Sequence, residues 1–268
     1  MALAYKQGII APFLTRENRM KINFTQVLQD SWNFFRNQKK IMFQFVAILF
    51  MVQVFSVLLS PSIVSTEGGV SADTLPQFME ENASSITFSF LITQLVTTFI
   101  ASWGLMTISQ ISQQNHRTLA QSFQATLPRF FGVVILDLIA ITPILLGLFE
   151  ILAAVLTKTS PSIISLAAII LGIGFFIRLN LSTTHYLTTQ DNIGQSLRKI
   201  WLQGKHQKTA LLIYALLVYF VTPILIFQLS AIFNHLIFSV LVSIFAAALN
   251  IFMQVVTYRF YSLFMKEA

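Results

Sequence analysis

Two hydropathy patterns alternate along the chain. Long runs of apolar residues without formal charge are separated by shorter segments in which apolar residues recur every three or four positions. The first long run, Ile41 to Leu59, follows the basic collar Arg36-Asn37-Gln38-Lys39-Lys40 and holds no charged residue. At a rise of about 1.5 Å per residue it is long enough, as a helix, to cross a hydrocarbon layer about 30 Å thick. Further runs cover Ile86–Ile108, Phe130–Leu156, Ile163–Ile177, Thr209–Phe227 and Ile232–Tyr258. Backbone polar groups in lipid must be paired within the segment, so each run predicts a helix. The expected fold is all-α: a polytopic membrane protein with six transmembrane helices and short interfacial amphipathic helices.

The shorter segments read as amphipathic helices. Phe24, Val27, Leu28, Trp32 and Phe35 fall on one side of a helical projection, with Gln26, Gln29, Asp30, Asn33 and Arg36 on the other. This face either lies in the headgroup boundary or packs on the protein's own surface. The segment has two cousins. Phe24-Thr25-Gln26-Val27-Leu28, Leu119-Ala120-Gln121-Ser122-Phe123 and Ile193-Gly194-Gln195-Ser196-Leu197 each precede an odd-numbered span, with Trp32, Leu127 and Trp201 four positions further on. A Pro follows toward the far end of each odd span, at Pro61, Pro143 and Pro223. The pattern suggests three hairpin repeats related by an axis along the membrane normal.

Residues 1–19 lack the uninterrupted apolar stretch of a signal peptide and read as a loose N-terminal tail. Met20-Lys21-Ile22-Asn23 has the look of a start, so the tail is expected to stem from an upstream initiation codon. Residues 20–268 form one expected transmembrane domain. Composition agrees: the chain is 55% hydrophobic, only 10% charged, and holds 26 Phe, leaving no stretch able to build a soluble core. With no Cys, disulfides and thiolate metal sites are excluded.

Charge orients the spans. The net charge is +7, but the basic residues sit beside apolar runs and not on a basic domain face, which argues against nucleic acid as a partner. No Lys or Arg occurs between Ile41 and His116, and the acidic stretch with Glu67, Asp73, Glu80 and Glu81, read as loop through Ser85, lies in that interval. If both termini are cytoplasmic, only Lys158 among the 17 Lys and Arg residues falls outside. Positive charge is retained on the cytoplasmic side during insertion, so this is the expected topology.

Candidate chemistry is sparse. Asp137 and Glu150 are the acidic residues inside spans, and ionisable groups at membrane depth are functional candidates. Thirteen residues separate them, about 140° around a helix, so they do not form a pair. Asp137 is placed to reach Arg129 or Arg178, and Glu150 to reach water. His116, His185, His206 and His235 have no partner at metal-ligand spacing, and no phosphate loop, nucleophile elbow or dinucleotide fingerprint occurs; no catalytic residue, metal or cofactor is expected. Gly172 and Gly174, with Ala246 to Ala248, suggest close helix contact.

Three stretches carry a likeness: Asn33-Phe34-Phe35-Arg36-Asn37-Gln38 before the first span, Ser60-Pro61-Ser62 after it, and Tyr258-Arg259-Phe260-Tyr261 after the last. With them the chain resembles the YciC-like inner-membrane proteins of Gram-negative bacteria, from about Met20 to the C-terminus; the preceding tail departs from the pattern. The resemblance implies a multi-pass inner-membrane protein and transfers no binding residue. The expected role is a non-enzymatic membrane organiser that binds the lipid bilayer, a membrane-protein partner or another copy of itself. The alternative is a small-solute or ion transporter or channel subunit, motivated by Asp137, Glu150 and the Thr- and Gln-rich second span.

Overall fold

The structure, a computed structural model, describes residues 22–59, 75–115, 117–232 and 236–266. Among them all regular structure is helical. The order is α1 (Phe24–Asn37), α2 (Lys39–Leu59), α3 (Leu75–Ser112), α4 (Leu119–Leu156), α5 (Ile163–Leu179), α6 (Ser182–Thr188), α7 (Ile193–Gly204), α8 (Lys208–Leu216), a π-helical turn (Leu217–Val221), α9 (Thr222–Ile232) and α10 (Leu236–Lys266). Among the described residues six helical stretches are long and apolar enough to cross a membrane: Lys39–Ser56, Glu81–Ser112, Leu119–Leu156, Ile163–Thr188, Lys208–Ala231 and Phe238–Lys266. The expected tail, Pro61 and most of the acidic loop lie outside the described residues.

The element boundaries differ from the sequence expectation where local chemistry favours a longer helix. The stretch up to Ser85, expected as loop, is helical from Leu75, because Pro76 occupies the first turn, where a missing N–H leaves no bond unmade. The segment from Leu119 and the third span, expected as two elements, are one 38-residue helix that runs through Pro128 and Pro143. The fifth span instead takes a wide turn. Thr222 sends both its backbone N–H and its hydroxyl to the Leu217 carbonyl, an i to i+5 closure, just ahead of Pro223, which has no N–H to give. A π-turn relieves the crowding that the proline ring imposes on the preceding turn.

Successive spans alternate in direction, so Lys39, Lys40, Arg117, Arg129, Arg178, Lys208, Arg259 and Lys266 gather at one end of the bundle, here termed the basic rim. Packing is concentrated toward that rim. One apolar cluster joins Met42, Phe45 and Leu49 of α2 to Ile100, Leu105 and Ile108 of α3 and to Ile251 and Val255 of α10. A second joins Val27 of α1, Leu211 and Tyr214 of α8 and Val256, Phe260 and Phe264 of α10. Helix α10 is therefore the central post, in contact with α1, α2, α3, α6 and α9. Toward the opposite end Phe55, Phe88, Phe149, Val155, Leu241 and Phe245 are exposed, as side chains that meet lipid should be.

The α4–α5 hairpin stays closed along its length because Gly147 and Gly172 let the two backbones approach. A Cβ built on Gly172 would lie 2.8 Å from the Ile144 nitrogen, and one on Gly147 would lie 2.7 Å from the Ser165 carbonyl oxygen. Gly174, expected at a close contact as well, has open space around it.

Candidate functional site

The basic rim is built from three helix starts with a common design. Asn23, Thr118 and Asn192 cap α1, α4 and α7, each side chain accepting a bond from the Gln three residues on, at Gln26, Gln121 and Gln195. In α4 and α7 the Gln side chain returns the bond to the cap's own N–H, completing a capping box. The recurrent Gln therefore satisfies helix-end donors.

Each of these helices receives the end of an even-numbered span. Trp103 of α3 donates from Nε1 to the Leu119 carbonyl of α4 at 3.1 Å. Arg178 of α5 donates to the Trp201 carbonyl of α7 at 3.1 and 3.2 Å, and its guanidinium lies 3.8 Å from the Trp201 ring centroid. Arg259 of α10 lies 5.1 Å from the Phe34 ring of α1. The chain thus closes on itself in three successive contacts, the last joining α10 back to α1.

The face that makes these contacts is not the one with the largest apolar residues. Val27, Ser31 and Phe34 of α1, Ser122 and Thr126 of α4, and Ser196 and Ile200 of α7 are buried, while Trp32 is 57% and Leu127 51% exposed. Small residues allow close helix approach, and two of the hydroxyls are bonded within their own helix, Ser31 to the Val27 carbonyl and Thr126 to the Ser122 carbonyl. The apolar faces at Trp32 and Leu127 are left exposed.

Two cavities open at the rim on either side of the α1–α2 junction. The first, about 470 Å³, is lined by Asp30, Asn33, Phe34, Asn37 and Gln38 with Ser112, Gln114 and Arg259. It joins two of the stretches singled out in the sequence, Asn33 to Gln38 and Tyr258 to Tyr261. The Arg259 Nε is buried without a hydrogen-bond partner, so the guanidinium is held by the Phe34 ring face. The second cavity, about 490 Å³, lies between α2, α3 and the start of α4, with Lys40, Gln44, Thr107, Gln110, Arg117 and Ser122 on its wall. Among the described residues its lining holds two cations and no acidic side chain.

Between α2, α3 and α4 an aromatic chain lies inward of the second cavity. Phe45 meets Trp103 at 4.9 Å between ring centroids, Trp103 meets Phe123 at 5.3 Å, Phe123 meets Phe99 at 5.1 Å and Phe99 meets Phe130 at 5.2 Å. Edge-to-face rings of this kind fill the space between helices with apolar surface.

A third polar group lies where α6 turns into α7. Asp191 Oδ2 accepts from Lys199 Nζ at 2.6 Å and from His185 Nε2 at 2.7 Å, and His185 Nδ1 is hydrogen-bonded to the Tyr261 hydroxyl at 2.7 Å. The bond from Lys199, and then that from His185, hold the Asp191 carboxyl below its ordinary pKa. Arg129 donates to the Thr189 and Asp191 carbonyls while its guanidinium lies 4.5 Å from the Tyr186 ring centroid. The arrangement ties α4, α6, α7 and α10 together.

Asp137 is paired differently from the expectation. Its Oδ1 accepts from the Thr183 hydroxyl of α6 at 2.6 Å, whereas both arginines named as partners are engaged with backbone carbonyls and rings. Arg178, at the end of α5, turns to a carbonyl of α7, and Arg129, inside α4, turns to the α6–α7 connection, so both face away from the carboxylate. Glu150 lies far along α4, partly buried, and stays apart from Asp137. Among the described residues no group of His and acidic side chains could hold a metal ion; His116 and His235 are outside them.

Comparison with known proteins places the chain beside an uncharacterized protein of Haemophilus influenzae. The two are 58% identical over 248 residues, covering 92% of this chain and 100% of the relative. The chain belongs to that protein's family. No family model matches, and no solved structure does.

Sequence reasoning named neither cavity. Lys40, Gln110 and Arg117 lie on three elements, and only the α3–α4 contact through Trp103, Gln110 and Ser122 makes them neighbours. The repeated Gln at the helix starts was the available signal, since it marks where α1, α4 and α7 begin.

Proposed function

We propose that this is an inner-membrane protein with both termini cytoplasmic that organises lipid or protein partners at its basic rim and catalyses no reaction. The reading rests above all on the placement of the two rim cavities: both are lined from the basic ends of the helices, and the second is backed by the rings of Phe45 and Trp103. A binding surface needs such cavities, and a transporter needs a polar path to the midplane. The charge asymmetry supports the orientation, and the likeness to YciC-like proteins supports the inner membrane. Transport remains the second reading because Asp137 and Thr183 place a hydrogen-bonded carboxylate inside a span.

Two measurements test the proposal. Liposomes holding the purified chain should show no proton or cation flux above empty liposomes, and capture of the chain from native membranes should bring down reproducible lipids or membrane proteins. Flux that Asp137→Asn abolishes would overturn the organiser reading. Because the chain has no Cys, single cysteines report topology without background: Lys158→Cys should react with an impermeant thiol reagent from outside, and Arg198→Cys should not.

A further inference from the structure

We propose that the cavity between α2, α3 and the start of α4 binds the phosphate of an anionic membrane lipid. This rests on the lipid-binding side of the function proposed above and names its site. Lys40 and Arg117 line the cavity without an acidic residue, and the ion pairs among the described residues all involve Asp191, so neither cation is neutralised. The other rim cavity carries Asp30 opposite Arg259 and offers an anion no such excess.

Donors converge on the same space. The α4 capping box uses the N–H groups of Thr118 and Gln121, which leaves those of Leu119 and Ala120, the first two of the helix, without intrahelical partners. Both residues line the cavity. Gln110, only 7% exposed, supplies a further donor. Its Oε1 accepts from Ser122 Oγ at 2.5 Å, and its amide nitrogen has no acceptor among the described residues. Two cations, two free backbone N–H groups and a buried amide donor make an anion site and offer nothing comparable to a cation.

Depth selects a lipid as the source of the phosphate. Lys40 directly precedes the apolar run of α2, where the headgroup layer meets the hydrocarbon, and Ile41, Ile111 and Leu119 give the cavity an apolar side for a glycerol backbone. An ethanolamine headgroup would bring an ammonium to the two cations, so a glycerol phosphodiester with net negative charge is favoured.

Native mass spectrometry of the detergent-solubilised full chain, given equal phosphatidylglycerol and phosphatidylethanolamine, tests this. The wild type should retain phosphatidylglycerol preferentially. Lys40→Gln with Arg117→Gln should weaken that retention on the order of 30-fold, since each juxtamembrane cation contributes about fivefold. Arg36→Gln with Lys39→Gln, which removes two rim cations outside the cavity, should leave it within a few-fold. The charge-preserving pair Lys40→Arg with Arg117→Lys should retain the lipid, and serves if the Gln pair fails to fold. Equal losses in the two Gln pairs, undiminished retention in the cavity pair, or loss of retention in the charge-preserving pair would overturn the site. Displacement of the lipid by millimolar inorganic phosphate would overturn the lipid as ligand. None of these results alters the flux measurement, so failure of the site is distinguishable from failure of the organiser reading.

Discussion

Glycines two residues apart on α5 make opposite demands. At Gly172 a methyl group would meet the Ile144 nitrogen and Cγ1 at 2.8 Å and the Pro143 carbonyl carbon at 3.0 Å, and backbone atoms have no rotamer by which to yield. At Gly174 the same methyl meets nothing. Gly172→Ala should therefore force α4 and α5 apart at a cost of about 1–3 kcal/mol, a typical overpacking penalty. Gly174→Ala should be neutral or slightly stabilising, because Ala is the better helix former. Detergent-induced unfolding of the two variants in mixed micelles measures the difference. Equal behaviour would show that the hairpin is not held by close backbone approach. Both glycines look alike in the sequence, where a Gly on an apolar helix reads as small whether or not a neighbour lies against it.

Among elements, the α6–α7 turn shows most clearly how a short connection is fixed. Asp191 holds Lys199 of α7 and His185 of α6, and His185 in turn holds Tyr261 of α10. The folded-state pKa of Asp191 is depressed, so its contribution to stability is present above the ordinary carboxylate value of 3.8 and is lost as pH falls through the lower folded value. The stability gap between wild type and Asp191→Asn should accordingly hold through neutral and mildly acidic pH and close below about pH 4. Thermal unfolding across that range checks the sign; a gap that widened on acidification would exclude Asp191 as the anchor. The hydrophobic runs made the six spans legible, since a stretch without charge has few other folds open to it in lipid. The helical extension at Leu75, the fusion through Pro128 and the π-turn ahead of Pro223 were not legible, because each depends on where individual backbone N–H groups find acceptors. The same limit hid the rim cavities: Lys40 and Arg117 read as topology signals, and only packing brings them to one wall.

Across the whole molecule, the decisive feature is that the first helix and the last are neighbours. Helix α1 is too short and polar to be stable alone, and its buried line of Val27, Ser31 and Phe34 finds its partner in α10, where Arg259 covers the Phe34 ring and Phe24 stacks on Phe260 at 5.6 Å. The other two contacts, Trp103 with Leu119 and Arg178 with Trp201, join elements close together in the chain and would persist without closure. Truncating Phe34, which is 7% exposed, to Ala removes the ring under Arg259 and should cost about 3 kcal/mol, within the range for a buried aromatic side chain. The loss should be local. Hydrogen exchange should accelerate in α1 and in the last turns of α10, while α4 and α5, closed by Gly147 and Gly172, keep their wild-type protection. Acceleration spread evenly over all spans would mean that the bundle opens as one unit. Acceleration absent from α1 would mean that α1 is held by the membrane surface through Trp32 and not by α10.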